Sequence, residues 1–143
     1  MENSSKALGY LSLARKGGLA ELGEEPVGAI ARAGKAYVIL VASDASDHTW
    51  RRAKSYAAGT EQQCVRLDVT KDEMGFAVGR TSLAIAAITD VQMALALVAA
   101  LPQEESNKPA LEVLTAKAAK AKQRQQEAKA HRRNLRRGKK HMK

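Results

Sequence analysis

Two short segments that are apolar on both faces constrain this fold more than any other feature. Residues 36–42, A-Y-V-I-L-V-A, and residues 83–88, L-A-I-A-A-I, contain no charged side chain and do not alternate between apolar and polar positions. A strand of this kind is covered on both sides in a folded protein, because either face would otherwise expose apolar surface to water. Helices are the usual cover, so these segments predict an α/β protein with helices on both faces of a sheet.

The segments between these strands carry the spacing and the end signals of helices. Their alternation with strands predicts a three-layer α/β/α sandwich around a small mixed four-stranded sheet. In chain order we expect strands over 19–22, 36–42, 63–67 and 83–88. The first helix should span residues 4–16, capped by Ser4 or Ser5, and the second should have Pro26 in its first turn and end at Gly34. The third should run from the cap Ser46 to Gly59, the fourth from the capping box of Thr70 and Glu73 to Gly79, and the fifth over 90–101, where Pro102 stops it.

The net charge of +9 lies entirely in the last third of the chain. Residues 1–101 carry 11 Lys and Arg against 11 Asp and Glu, whereas residues 102–143 carry 13 against 4. This distribution predicts a neutral domain over residues 1–101, a linker over residues 102–109 and a basic arm over residues 110–143. The arm has helix-forming composition but almost no apolar face after Leu114, so we expect it to be disordered or helical.

The chain shows no pattern typical of secretion or of a membrane span. Cys64 is the single cysteine, which excludes an intramolecular disulfide and fits a reducing setting. The N-terminal residues have no cationic start followed by an apolar run. Residues 83–101 are rich in Ala and Leu, but Thr89, Asp90 and Gln92 interrupt them. We therefore expect a cytoplasmic protein without a membrane partner.

The sequence contains no constellation with the spacing of a catalytic or metal site. It has no Cys-x-x-Cys, no paired-histidine motif and no phosphate-binding glycine loop of known spacing. Asp44, Asp47 and His48 could suggest acid/base chemistry, but acids of a turn and of a first helical turn are the better interpretation. Cys64 lies within a predicted strand, where a small buried side chain is its usual role. We expect a protein that is not an enzyme and has no cofactor and no small-molecule substrate.

Three segments in order resemble one known family. They are residues 23–46, G-E-E-P-V-G-A-I-A-R-A-G-K-A-Y-V-I-L-V-A-S-D-A-S, residues 70–80, T-K-D-E-M-G-F-A-V-G-R, and residues 84–90, A-I-A-A-I-T-D. With this spacing, about residues 5–100 resemble the ribosomal proteins of the L-seven-Ae type, and most closely their bacterial YlxQ branch. The resemblance implies a compact α/β/α sandwich that binds structured RNA, of which the kink-turn is the best-known target. The arm lies outside the resemblance.

The resemblance also places the RNA contacts, at the start of the second helix and in the loop before the last strand. Strong readers of the family carry G-x-N-E-x-x-K at the first place. The corresponding residues here are Gly23, Glu24, Glu25, Pro26 and Ala29, so only the glycine matches. The second contact loop corresponds to Gly79, Arg80, Thr81, Ser82 and Leu83.

Two interpretations of the acids at the helix start remain open. Glu25 can accept the N1–H and N2–H₂ of a guanine, although an ionised carboxylate cannot bind a phosphate. Alternatively, Glu24 and Glu25 only cap the helix and complement its dipole. Lys16, Lys35 and Arg80 are expected to surround this same end of the sandwich and to contact RNA backbone, unless they are solvated surface charges.

The arm is the stronger nucleic-acid signal. Residues 117–143 hold 12 Lys and Arg and a single acid, Glu127. Because no aromatic side chain lies between the cations, we expect the arm to bind the phosphate backbone without reading sequence. The cations expected to contact RNA are Lys117, Lys120, Lys122, Arg124, Arg132, Arg133, Arg136 and Arg137, the last four paired at i and i+4.

Together these features predict an RNA-binding protein that is ribosomal or ribosome-associated. The sandwich would recognise structured, kink-turn-like RNA, and the arm would bind phosphate backbone. Ribosomal RNA is the first candidate partner, and the ribosome or other ribosomal proteins are further ones. The alternative is a protein-interaction module with an unspecific polyanion-binding tail.

Overall fold

The computed structural model of the chain has four strands and six helices in its described part. It describes residues 2–102 and 106–141, and of residues 2–4 and 136–141 it describes the backbone only. The elements are α1 (Glu2–Lys16), β1 (Ala20–Leu22), α2 (Glu24–Arg32), β2 (Val38–Val41), α3 (Asp47–Ala57), β3 (Gln63–Arg66), α4 (Lys71–Ala77), β4 (Ile85–Ile88), α5 (Val91–Ala99) and α6 (Lys108–His141). The order of elements and the α/β class agree with the sequence prediction.

The four strands form one mixed sheet in the order β1-β4-β2-β3. β2 and β3 are parallel, with Val38 opposite Gln63. β4 lies between β1 and β2 and is antiparallel to both, so that Ala20 and Val38 stand on either side of Ile88. The two inner strands, β2 and β4, therefore lie within the two segments that are apolar on both faces, and every residue of these strands is buried.

Helices cover both faces of this sheet. α2 and α3 pack together on one face, whereas α1, α4, α5 and the first turns of α6 pack together on the other. The second layer contributes Leu11, Met74, Leu97 and Leu114, one from each of its helices, and none of these side chains has exposed surface. Burial of each such side chain stabilises the fold by about 1.5–3 kcal/mol relative to leaving it in water.

Several helix ends follow the local signals of the sequence. The expected cap of the first helix by Ser4 or Ser5 is wrong, because α1 begins at Glu2 and both serines lie inside it. The Ser46 hydroxyl accepts a hydrogen bond from the backbone N–H of Thr49 at 3.2 Å. Thr70 and Glu73 form both hydrogen bonds of a capping box at the start of α4. Gly34 and Gly79 follow α2 and α4 with φ of 71° and 74°, the left-handed conformation that commonly terminates a helix.

α6 is the element that local sequence pattern describes least well. Of the two alternatives for the arm, the structure contains the helix, which begins at Lys108, inside the expected linker. Ala110, Leu114 and Ala118 recur at every fourth position and are buried in the contact with α5. From residue 122 to residue 135 every residue is exposed, so the part of α6 beyond residue 121, about 30 Å long, extends away from the sandwich.

Candidate nucleic-acid interface

The direction of β4 divides the candidate residues between two opposite edges of the sheet. β1 and β2 end, and β4 begins, at the edge that carries residues 23–26 and 79–83, which we call the loop edge. At the opposite edge β1 and β2 begin and β4 ends. This arm edge comprises residues 35–37, 60–62, 89 and 117–124. α2 runs from one edge to the other over nine residues, or about 13 Å.

Arg80 lies directly beside Gly23 at the loop edge. Gly23 has φ 95° and ψ 163°, a conformation that only glycine adopts readily. A Cβ placed on it would lie 3.7 Å from a guanidinium nitrogen of Arg80. The Gly23 N–H also donates to the carbonyl of Ile85 at 3.0 Å, which ties the start of α2 to the start of β4. The two loops indicated by the family resemblance are thus neighbours in space.

The loop after α4 is held against its helix through Gly75. A Cβ on Gly75 would lie 2.7 Å from the backbone N and Cα of Ser82 and 2.9 Å from the carbonyl oxygen of Arg80. The Arg80 N–H donates to the Gly75 carbonyl at 2.8 Å, and the Leu83 N–H donates to a carbonyl of the first turn of α4 at 3.0 Å. Leu83 is buried, whereas Arg80, Thr81 and Ser82 are exposed. The loop is therefore anchored at both ends and presents three polar side chains to solvent.

The carboxylate of Glu24 contacts side chains of a neighbouring helix. One of its carboxylate oxygens accepts a hydrogen bond from the Thr49 hydroxyl at 2.8 Å, and the other lies 3.6 Å from the Arg52 guanidinium. Both partners belong to α3, so Glu24 links α2 to α3. The expectation that Glu24 caps α2 is wrong, because no described side chain makes a cap hydrogen bond at Gly23.

Glu25, in contrast, is exposed and has no hydrogen bond or ion pair within the described part of the chain. The backbone N–H groups of Glu24 and Glu25 also have no acceptor among the described residues, and Pro26 has no N–H to offer. Beside Arg80, the loop edge therefore offers two open N–H donors and one carboxylate acceptor. The two acids of the first turn also complement the dipole of α2.

Lys16 and Lys35 do not lie at the loop edge, and the prediction that they surround the same end as Arg80 is wrong. Lys16 ends α1 and is followed by a turn that is hydrogen-bonded to Thr89, just after β4. Lys35 precedes β2 at the strand end that pairs with Ile88. Both lysines belong to the opposite end of the sandwich, because the antiparallel course of β4 places its start, and with it Arg80, at the far edge.

The cations of the arm fall into two groups. Lys117 lies at the arm edge, where its Nζ is 2.6 Å from a Glu61 carboxylate oxygen. Lys120 and Arg124 line the same surface, whereas Lys122, Arg132 and Arg133 are exposed along α6. Arg136 and Arg137 belong to the helical backbone of α6, but their side chains lie outside the described residues.

The cluster of Asp44, Asp47 and His48 has structural roles. A carboxylate oxygen of Asp44 accepts a hydrogen bond from the backbone N–H of Lys71 at 2.7 Å, which fixes the start of α4. Asp47 is the acid of the first turn of α3, and His48 is exposed beside it. This agrees with the interpretation of the acids as turn and first-turn residues.

Cys64 is a free and largely buried thiol on β3. Burial raises the pKa of this thiol to about 12, against a smaller opposing effect of the Lys54 charge. The thiol therefore stays protonated near neutral pH and is a poor nucleophile, because the thiolate is the reactive form.

Two other kinds of feature are not found where the structure describes the chain. No group of three or more His, Cys, Asp or Glu side chains in residues 2–102 and 106–141 is arranged to hold a metal ion. No helix in the same ranges is long and apolar enough to cross a membrane.

Two sets of contacts escape any local sequence signal. Thr49 and Arg52 hold Glu24 from a different helix, and the pair Lys117 and Glu61 joins residues that are 56 positions apart. Tyr37 belongs to the apolar segment of residues 36–42, and the sequence pattern therefore predicts that it is buried in the core. In the structure it is half-buried at the arm edge. Only the packing of α3 and α6 on the sheet creates these pairs.

Comparisons with known proteins agree with this architecture. No family model and no curated protein sequence matches the chain. A solved structure of a protein of unknown function from Bacillus halodurans is 22% identical, with a TM-score of 0.62, over 66% of this chain and 95% of that one. The 15.5kD RNA binding protein of Giardia lamblia is 15% identical, with a TM-score of 0.56, over 83% of this chain and 90% of that one. At such low identities the likeness concerns the fold, and this chain shares the fold of these two proteins.

Proposed function

We propose that this chain is a non-enzymatic, cytoplasmic RNA-binding protein that acts on ribosomal RNA or on the ribosome. The loop edge recognises a structured, kink-turn-like RNA, and the arm binds phosphate backbone. The observation that carries the proposal is the placement of Arg80 beside Gly23, at the start of the helix whose Glu25 is exposed and has no partner among the described residues. The fold shared with the Giardia RNA-binding protein supports it.

The groups at the loop edge are suited to a guanine that is not in an ordinary duplex. Glu25, which only accepts hydrogen bonds, can receive the N1–H and N2–H₂ of the base. Arg80 can donate to a phosphate or to the O6 and N7 of a guanine. The deep and narrow major groove of A-form RNA is closed to side chains, so such contacts require bases that are displaced from a regular helix. The proposal therefore specifies structured RNA in preference to straight duplex.

The arm supplies the positive charge that the loop edge lacks. Of its 12 Lys and Arg between residues 117 and 143, eleven lie on α6, whose described side chains from residue 122 onward are exposed. If about six phosphates are neutralised, affinity falls by about 10³ between low and physiological salt. This term is independent of sequence, so it strengthens binding without selecting the target.

Glu25→Ala tests the loop edge. Glu25 has no partner in the described residues, so its loss should change the free energy of unfolding by only about 0.3–1 kcal/mol through the helix dipole. Loss of a paired guanine contact should weaken binding to a kink-turn RNA by about 1–3 kcal/mol. Binding to a straight duplex of equal length should not change. Asp72→Ala is the matched control, because Asp72 is an exposed acid in the first turn of α4.

A shortened chain tests the arm. Ending the chain at residue 101 would remove Ala110, Leu114 and Ala118 from the core, so a chain of residues 1–125 is the better choice. It lacks eight of the twelve arm cations but keeps the packed turns of α6. We expect it to prefer the kink-turn as the full chain does, with a smaller dependence of affinity on salt.

The preference for the kink-turn and the dependence on salt test the loop edge and the arm separately. If neither chain prefers the kink-turn over the duplex at moderate salt, the loop edge does not read RNA. The chain is then a protein-interaction module with a polyanion-binding tail. If residues 1–125 show the same salt dependence as the full chain, the arm does not bind backbone.

A further inference from the structure

The arm edge contains an open groove of about 720 Å³ that the loop edge does not use. Its walls are the end of α2, the turn before β3 and the packed part of α6. A second cavity of about 260 Å³ adjoins it along α6 and shares Tyr37, Glu61 and Lys117 with it. The two cavities are therefore neighbours at the arm edge, and together we call them the arm groove.

The arm groove is positively charged. Arg32, Lys35 and Lys117 line its larger part, and Lys120 and Arg124 line its smaller part. Glu21 and Glu61 are the acids that line it. Five cations against two acids attract a polyanion. The groove also opens toward the exposed cations of the arm, so a nucleic acid strand bound along α6 would lead into it.

Glu61 holds the central cation of the groove in place. Its carboxylate lies 2.6 Å from the Lys117 Nζ, and its side chain is 81% exposed whereas that of Lys117 is 29% exposed. The hydrogen bond from Lys117, followed by the charge of Lys117 and of Lys120, keeps the pKa of Glu61 below its usual value. An incoming phosphate can replace this carboxylate on Lys117, because the ion pair faces solvent and an exposed pair is weak.

Tyr37 gives the groove an aromatic floor. Tyr37 lines both cavities, and the Lys117 Nζ lies 5.8 Å from the centroid of its ring. Its backbone is fixed by hydrogen bonds to both neighbouring strands, to Ile88 at 2.9 Å and from Gln63 at 3.1 Å. A half-buried tyrosine whose backbone is fixed directly before a strand, with cations around it, is an arrangement on which single-stranded bases can stack. A base within a duplex cannot reach such a ring.

We infer that the arm groove is a second RNA site, which takes a single-stranded segment with a base on Tyr37 and its phosphates on Lys35, Lys117 and Lys120. The inference rests on the proposed RNA-binding function but concerns the opposite end of the sandwich. The protein then engages two RNA segments at once, a structured one at the loop edge and an unpaired one at the arm groove.

The test uses the full chain and a short oligouridylate that carries a photoreactive 4-thiouridine. We expect cross-links in the peptides that contain Tyr37 and Lys117. Tyr37→Leu should weaken oligouridylate binding about fivefold or more, whereas Tyr37→Phe, which keeps the ring, should bind as the wild type does. Tyr10→Leu is the matched control, because Tyr10 is a half-buried tyrosine on α1 outside the groove.

A second variant changes an exposed side chain and is expected to leave the fold intact. Glu61→Gln frees Lys117 for phosphate and should tighten oligouridylate binding about two- to fivefold at low salt. Glu112→Gln makes the same change of charge at an exposed position of α6 outside the groove and should have a smaller effect. If Tyr37→Leu proves unstable in a melting experiment, this pair of variants decides the question.

The inference is overturned if cross-links fall only at the loop edge or beyond residue 122. It is equally overturned if Glu61→Gln and Glu112→Gln act alike. Failure of the proposed function gives a different result. The protein would then not prefer the kink-turn RNA over a duplex, while its binding of the oligouridylate would still depend on Tyr37. Competition between the two RNAs for one chain would also contradict two separate sites.

Discussion

Replacing Gly75 by alanine tests how the loop edge is built. Gly75 lies inside α4, and the added methyl group would point at the loop of residues 80–82. It would lie 2.7 Å from two backbone atoms of Ser82 and 2.9 Å from the carbonyl oxygen of Arg80. Carbon atoms in ordinary contact are about 3.5–4.0 Å apart, so the helix or the loop must move by roughly 0.5–1 Å. The groups to be displaced are backbone atoms, which cannot turn aside as the end of a flexible side chain can.

The expected loss of stability is the difference between two opposing effects. Forcing a methyl group into a packed region costs about 1–3 kcal/mol. Alanine is favoured over glycine inside a helix by about 1 kcal/mol, which offsets part of that cost. The net destabilisation should therefore be about 0–2 kcal/mol. Displacement of Arg80 from Gly23 should in addition weaken binding of a kink-turn RNA.

Gly9→Ala provides the matched control. Gly9 lies inside α1, is exposed, and has nothing within 4 Å of the position a Cβ would take. The same exchange should stabilise the protein there by about 0.4–1 kcal/mol. Urea denaturation with an unchanged m-value measures both variants. Their difference in unfolding free energy isolates the steric cost and should be about 1–3 kcal/mol. Equal stability of the two variants would refute the close approach of the loop to α4.

Three further predictions concern the links that position the loop edge and the single cysteine. Glu24→Ala and Thr49→Val should each destabilise the protein, and their double-mutant cycle should give a coupling of about 0.5–1.5 kcal/mol, whereas zero coupling would mean that the hydrogen bond between α2 and α3 contributes nothing. Asp44→Ala removes the acceptor of the Lys71 N–H and should cost about 0.5–2 kcal/mol in chemical denaturation; an unchanged midpoint would contradict the role of Asp44 at the start of α4. Burial raises the folded-state pKa of Cys64 from 9.0 to about 12, so its contribution to stability is complete below pH 9.0 and is lost as pH rises toward 12. Cys64→Ala should therefore lose less stability over this pH range than the wild type. Parallel curves of unfolding free energy against pH for the two proteins would show that the thiol is not buried.

Much of this fold could be predicted because its signals are local. An apolar run such as residues 38–41 has to be an inner strand, since neither face tolerates water. A serine or threonine cap acts within three residues of itself, as Ser46 and Thr70 do, and a glycine with positive φ ends a helix by its own backbone conformation. Composition alone also locates the excess positive charge in residues 102–143, but it does not show that Ala110, Leu114 and Ala118 of the predicted arm pack into the sandwich.

What could not be predicted is how distant segments meet. The sequence does not state that β4 is antiparallel to β1 and β2, and this pairing alone decides that Arg80 stands beside Gly23 while Lys16 and Lys35 lie at the other edge. The packing of α6 on α5 could not be predicted because its buried side chains are mostly small. Ala110 and Ala118 add little apolar signal around Leu114, yet they allow the helix to approach α5 closely. The sequence by itself determined the elements and where the charge lies. Tertiary structure decided which charges share a surface, because burial of apolar faces, and not the charges themselves, fixes the packing of helices on the sheet.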